Sequence, residues 1–176
     1  NVRAGVAADM SNLQFGAGFT DATDDVNIFG TNQADTITGT SISDQIDGGA
    51  GINTLTLDIP SGQNLLDLTD ATTAAKLSHI STIDLGRSDT ASLVSNFLHL
   101  SVDNILALAS DSKIFVVNGG QGDGVYLVNA SLWTHAPEVV SGMDLDALYG
   151  SSYGFDIDGA YYEYTLNGAT LYMHYY

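Results

Sequence analysis

The chain has no cysteine, two prolines, one tryptophan and four basic residues against 21 acidic ones. Without cysteine it uses no disulfides, and that absence alone selects no compartment. A net charge of −17 excludes nucleic acid and anionic membrane surfaces as partners, because nothing would neutralise phosphate. The same imbalance costs self-repulsion unless cations bind. No apolar run approaches the length of a transmembrane helix, so membrane insertion is not expected. The start, Asn1-Val2-Arg3-Ala4-Gly5-Val6, is neither an initiator methionine nor a charged-then-apolar signal segment. A processed chain or a piece of a longer one is therefore expected. Hydrophobic residues make up 44% of 176, enough for one domain with a proper core or two small ones, and too many for disorder.

Glycine, by contrast, is present in register. Gly30, Gly39 and Gly48 open three consecutive nonapeptides, GTNQADTIT, GTSISDQID and GGAGINTLT. The sixth position reads Asp35, Asp44, Asn53, and the eighth Ile37, Ile46, Leu55. Glycine first, Asp sixth and an aliphatic eighth is the pattern of a calcium-binding parallel β-roll. Each nonapeptide has a turn half, where glycine supplies backbone conformations that a Cβ resists, and a strand half, whose one aliphatic side chain points inward. The Asp points into the turn beside backbone carbonyls, an oxygen-rich setting that suits a hard divalent cation. Calcium is accordingly expected to be part of the fold.

These residues resemble the RTX (repeats-in-toxin) proteins of bacteria, exported by type I secretion, whose repeat is GGxGxDxUx with U aliphatic. Gly48-Gly49-Ala50-Gly51 matches the opening best. Thr31 and Thr40 depart from the second glycine, Gln33 and Ile42 from the fourth, and Asn53 from the Asp. An amide offers oxygen without charge, so a weaker site is expected there. The resemblance implies a calcium held between turns two repeats apart: the turn Gly30–Asp35 against the turn Gly48–Asn53, and Asp44 against the segment before Gly30. That segment contains Asp21, Asp24 and Asp25 and reads as a degenerate first coil, with a solvated acidic loop as the alternative. The implied metal residues are Asp35, Asp44, Asn53, Gly30, Gly48, Gly49, Gly51, Asp24 and Asp25. The later blocks KLSHISTIDLG, NFLHLSVDNILAL, KIFVVNGGQGDGVYL and YYEYTLNGATLYMHYY are similar to those that close many large RTX adhesins beyond their last repeats. The resemblance implies an extracellular or cell-surface bacterial module serving export, folding and attachment.

The expected fold is mainly β: a short parallel β-roll running into a mixed or antiparallel β domain with one or two short helices. Residues 1–27 read as a cap or the edge of a preceding module, 28–58 as the roll, and 59–176 as the C-terminal β domain. The turn Pro60-Ser61-Gly62 is expected to end the roll, since proline cannot donate to a ladder. Asp70 is placed as the N-cap of a helix over Ala71–Leu77, and Ser101 as the N-cap of another ending at Leu108. Ile80–Leu85 and Phe97–Leu100 alternate like strands. Lys113–Val117 and Val125–Val128 read as a hairpin joined by the turn 118–124. Residues 129–152 read as irregular. Asp158-Gly159 and Asn167-Gly168 read as hairpin turns.

Catalytic motifs are not assembled. None of His79, His99, His135 and His174 lies in HExxH or another close ligand pair; His79 and His99 read as core or edge histidines of apolar strands. NGGQGDG lacks the lysine and the following helix of a phosphate loop; through Asp123 it is a calcium turn or, preferably, a hairpin loop. Asp144/Asp146 and Asp156/Asp158 read as solvated strand faces, with calcium or a glycosidase-like acid pair as alternatives. Ser131 and Ser141 lack a glycine elbow. The sequon Asn129-Ala130-Ser131 carries little meaning in a bacterial chain. Six of the nine tyrosines fall in 161–176, on both faces of the expected hairpin. That hairpin therefore needs two covers, and the second is expected from a copy of the same chain, a carbohydrate or another surface ligand. The expected function is a non-enzymatic, calcium-stabilised module of an RTX adhesin. The alternatives are a self-assembling filament or surface-layer subunit and the export domain of a secreted hydrolase.

Overall fold

The computed structural model describes residues 27–38, 45–57, 64–86 and 95–175. The protein is mainly β, with a few short helices. The nine-residue period makes two strands per coil. β1 (Asn27–Phe29) and β2 (Thr36–Thr38) are followed by β3 (Gln45–Asp47) and β4 (Thr54–Thr56). β1 pairs with β3 and β2 with β4, both parallel, with Asn27 on Gln45 and Thr36 on Thr54. The turn residues Asp35 and Asn53 bond at the same offset of 18 residues.

From here the coils lengthen and gain a third side. β5 (Asn64–Asp67) comes next, and Asp70 then caps α1 (Ala71–Ala74) by accepting the N–H groups of Thr72 and Thr73 at 2.9 Å. β6 (Leu77–Ser78), β7 (Thr82–Asp84) and β8 (Asn96–Leu100) lie parallel on β3, β4 and β5. α2 (Val102–Leu108) opens with a reciprocal Ser101–Asn104 capping box. β9 (Ile114–Asn118) adds to β7, and β10 (Gly124–Leu127) to β8.

The inward rows explain why the coils stay in register. Ile37, Leu55, Ile83, Val117 and Met173 stand opposite one another across five adjacent strands. Ile28, Ile46 and Leu77 form the same row on a second side, and Leu66, Leu98 and Val125 on the third. A one-residue slip would turn every one of these side chains outward. Each fully buried Leu or Ile contributes roughly 1.5–3 kcal/mol.

The edges are closed in different ways. α2 packs against β6, buries Ile105 and Leu108, and so covers the first sheet. The longest sheet is completed by two-residue strands β11 (Thr134–His135) and β12 (Val140–Ser141), helix α3 (Gly142–Tyr149) and the hairpin of β13 (Ala160–Leu166) and β14 (Ala169–Tyr175). β14 lies parallel on β9, whereas β13 runs antiparallel to β14 and takes β11 and β12 on its other edge. The Asn167-Gly168 turn has both residues at positive φ, 51° and 83°, as a tight hairpin requires.

Several expectations need correction. The parallel ladder does not end near Pro60: residues 58–63 lie outside the described residues, but Leu55 pairs with Ile83 beyond them. The segment 113–128 is not a hairpin, because β10 pairs with β8 rather than with β9. A loop that spans two sheets of a coil looks, in sequence, like one that joins neighbours. Residues 129–152 are not irregular; they include α3, capped by Ser141 through the Asp144 N–H at 3.1 Å. Asp156–Gly159 is a turn, with Gly159 N–H on Asp156 O at 2.9 Å. Neither Asp158 nor Gly159 has positive φ, and the strand after the turn pairs with β12.

Ile83 is at the centre of the longest inward row and is fully buried. Ile83→Ala is expected to cost about 2–5 kcal/mol in chemical denaturation. Leu65→Ala, on an outward position that is 46% exposed, is expected to stay within about 0.5 kcal/mol.

Candidate functional site

The glycine turns stack at one corner of the roll. Turn 30–35 lies on turn 48–53, which lies on the turn after β6. Backbone bonds run straight across: Gly30 N–H to Asp47 O at 2.7 Å, Ala50 N–H to Thr31 O at 3.0 Å, Thr54 N–H to Asp35 O at 2.8 Å, Gly48 N–H to Ser78 O at 2.9 Å and Ser81 N–H to Asn53 O at 3.0 Å. The expected facing of turns two repeats apart is therefore what the chain adopts. Glycine is needed for proximity as well as for conformation. A Cβ at Gly48 would lie 2.2 Å from His79 O, and one at Gly49, which has φ of +77°, would lie 2.1 Å from Thr31 O.

Asp35 and Asn53 behave differently. Asp35 Oδ2 accepts from the N–H and hydroxyl of its own Thr31 at 2.6 and 2.8 Å, and among the described residues Oδ1 accepts nothing. Asn53 is fully buried. Its Oδ1 accepts the Asp35 N–H at 3.0 Å, and its Nδ2 donates to Gly49 O at 3.4 Å and His79 O at 2.9 Å. Calcium wants six to eight oxygens, some of them charged. The Asp35 turn retains a carboxylate that suits such an ion. At the Asn53 corner the amide oxygen is instead committed to a backbone N–H. Among the described residues no three His, Asp or Glu side chains gather into a metal-binding group. Asp24, Asp25 and Asp44 lie outside the described residues.

Asp47 and His79 join this corner, although sequence reading gave neither a role in it. His79 is not in an apolar strand; it follows β6 with φ of +53°. Its Nδ1 lies 2.7 Å from Asp47 Oδ1, which also accepts the Gly49 N–H at 3.0 Å. Asp47 fills the ninth position of its repeat, and the motif singles out only the sixth. The same device recurs at other strand ends. Asp67 accepts from Thr69 N–H and Asp84 from Gly86 N–H, each at 2.9 Å. Asp67 also lies 3.6 Å from His99 of the neighbouring strand. Partial burial pushes the Asp47 carboxyl up, but the Gly49 N–H and the His79 ring outweigh it and hold the carboxyl below the usual range. The Thr69 hydroxyl, with the Thr69 N–H and His99, does the same for Asp67.

The loop 118–124 is not a hairpin loop, since the strands on either side of it lie in different sheets. Asp123 Oδ1 takes the Asn96 N–H at 2.7 Å and Oδ2 the Gly120 N–H at 2.6 Å, so the carboxylate staples the loop to the start of β8. Burial, opposed by these two bonds and assisted by nearby Asp84, raises its pKa.

The tyrosines do fall on two faces, and the chain itself supplies both covers. Leu171, with Tyr164 and Met173, faces the main core. Tyr161 and Tyr172 face the other way, into a cluster with Val116, Leu145, Tyr153 and Phe155. Residues 142–155 thus occupy the face that a partner was expected to cover. Thr82 Oγ1 donates to Tyr153 O at 2.9 Å, and Asn118 Nδ2 to Gly154 O at 2.8 Å. Tyr161 OH donates to Asn118 Oδ1 at 2.6 Å and accepts the Asp156 N–H at 2.7 Å. Burial and the neighbouring Tyr149 hydroxyl push the Tyr172 hydroxyl far above its ordinary pKa. Asp144 and Asp146 lie on α3, not on a strand face, and Asp144 accepts from the Ser141 hydroxyl at 2.6 Å. Asp156 precedes β13 and lies 4.0 Å from His174. Tyr176 lies outside the described residues.

No protein-family model matches the chain, and no curated protein or solved structure matches it either.

Two outcomes are expected. A carboxyl whose folded pKa is depressed stabilises the fold above its unfolded pKa, near 4, and loses that stabilisation as pH falls through the folded value. Asp47→Asn should therefore flatten the fall in melting temperature between pH 5 and pH 3, followed by circular dichroism. Tyr161→Phe leaves the Asp156 N–H and Asn118 Oδ1 without the hydroxyl, and equilibrium unfolding should show a loss of about 1–3 kcal/mol.

Proposed function

We propose that the chain is a non-enzymatic, calcium-stabilised extracellular module of an RTX-type bacterial adhesin or surface protein, serving export, folding and attachment. The observation that carries this reading is the 18-residue stacking of glycine turns, with Asp35 retaining a carboxylate in one of them. Asp35, Asp44 and the acidic pair Asp24–Asp25 are the charged groups proposed to hold calcium. Calcium would supply positive charge among carboxylates that otherwise repel, in a chain of net charge −17. Among the described residues no helix is long and apolar enough to cross a membrane. A role as a self-assembling subunit had its main argument in a tyrosine face left open, and that face is filled by residues 142–155.

Thermal unfolding of the whole chain in millimolar calcium and in chelator tests the reading. Calcium is expected to raise the melting temperature; at 100-fold excess over Kd one site adds about 2.7 kcal/mol. Magnesium should substitute poorly, because it demands a tighter octahedral shell. Asp35→Ala and Asp44→Ala should each shrink the calcium response. Identical melting curves in calcium and chelator would remove the basis of the proposal.

A further inference from the structure

At the corner between turn 48–53 and the turn after β6, two backbone carbonyls converge on one buried side chain. The oxygens of Gly49 and His79 both receive Asn53 Nδ2, and Oδ1 takes the Asp35 N–H from the opposite side. Only this orientation of the amide works: reversed, it would set an oxygen against two carbonyls and an N–H2 against an N–H. Asn53 itself is 0% exposed, so its amide meets these groups directly. Carbonyls that converge on a buried side chain need something positive between them, and an N–H2 group or a hard cation can serve.

We infer that the Asn53 amide takes the place of a cation at this corner, so that the coil from residue 48 closes on the coil from residue 77 without metal. The surrounding residues are arranged for it. A Cβ at Gly48 would lie 2.7 Å from Asn53 Nδ2, so glycine leaves the space that the amide fills. His79 adopts a left-handed backbone that few residues with a Cβ take without cost, and its carbonyl meets the amide. Asp47 Oδ1 is bonded to both the His79 ring and the Gly49 N–H, and ties together the two turns that carry the carbonyls. An Asp at this position would bring three acceptors together with no donor. The departure from the repeat at position 53 thus stabilises the junction in its own right. The inference does not depend on calcium binding at Asp35 or Asp44.

The test uses the whole chain, its Asn53→Ala and Asn53→Asp variants, and amide hydrogen exchange of the unaltered protein. In chelator the order of melting temperature should be unaltered chain, then Asn53→Ala, then Asn53→Asp. Alanine removes a donor, whereas Asp also leaves a charge buried and unpaired, a drop of roughly 10 °C from the unaltered chain. Calcium should raise the Asn53→Asp variant by more than it raises the unaltered chain, because that variant alone needs a cation at this corner. In the unaltered chain, chelation should cost the amides of Asp35, Ser81 and Thr82 no more protection than it costs the core amides of Leu98 and Phe115. The inference is overturned if Asn53→Asp melts at or above Asn53→Ala in chelator, if calcium gives that variant no extra gain, or if those three amides lose more protection on chelation than the core amides do. A calcium-insensitive melting curve of the unaltered chain would instead count against the proposed function and leave this inference standing.

Discussion

One coil of this roll can lie on the next only if the turns between strands approach closely enough for their backbones to bond. Everything else follows from that contact distance. Strand pairs are spaced by their ladder, so the corner must match the same spacing while changing direction. Gly48 and Gly49 permit it by having no side chain where the carbonyls of His79 and Thr31 pass. The inward aliphatic rows then fall into line, because corner bonds and strand register are set by the same offset. Tight corners also bring carbonyl oxygens together, and the chain answers with side chains that bond locally: Asn53 within the corner, and Asp47, Asp67 and Asp84 at the ends of strands.

The acidic composition looks different in this light. Several carboxylates are not diffuse surface charge but acceptors for backbone N–H groups that turns leave without a strand partner. Asp70 and Asp123 do the same at a helix start and in a loop. Each such carboxylate has a structural use near neutral pH, which eases part of the self-repulsion that the net charge imposes. The exposed remainder is where cations would matter most.

Much of the first coils was legible because their information is local. A period of nine, glycine in the turn and one aliphatic in the strand specify both the stacking and the inward row. Asp70, Ser101 and Asn167-Gly168 were legible for the same reason, since caps and tight turns are read within four residues. What escaped was non-local. The parallel placement of β10 on β8 depends on coil geometry that the stretch 113–128 does not encode in its own pattern. The stretch 129–152 reads as irregular because the apolar residues of its helix serve a sheet face made of distant strands rather than a face of their own. The motif pointed to turns that do stack, but not to the bonds that Asn53 makes there. A repeat treats that position as a ligand slot, whereas its surroundings include the carbonyl of His79, 26 residues away.

The placement of β14 between β9 and β13 bears on the order in which the molecule can assemble. Residues 114–117 of the parallel sheet find their next neighbour only at residues 170–173. A chain emerging from its N-terminal side can stack the early coils as they appear, each contact needing only a short loop. The sheet then waits with a bare parallel edge, and the entropy of closing a long loop must be met before the next row forms. Completion of the core is thus a late, cooperative step, and until it occurs the half-built roll presents an edge open to unwanted pairing.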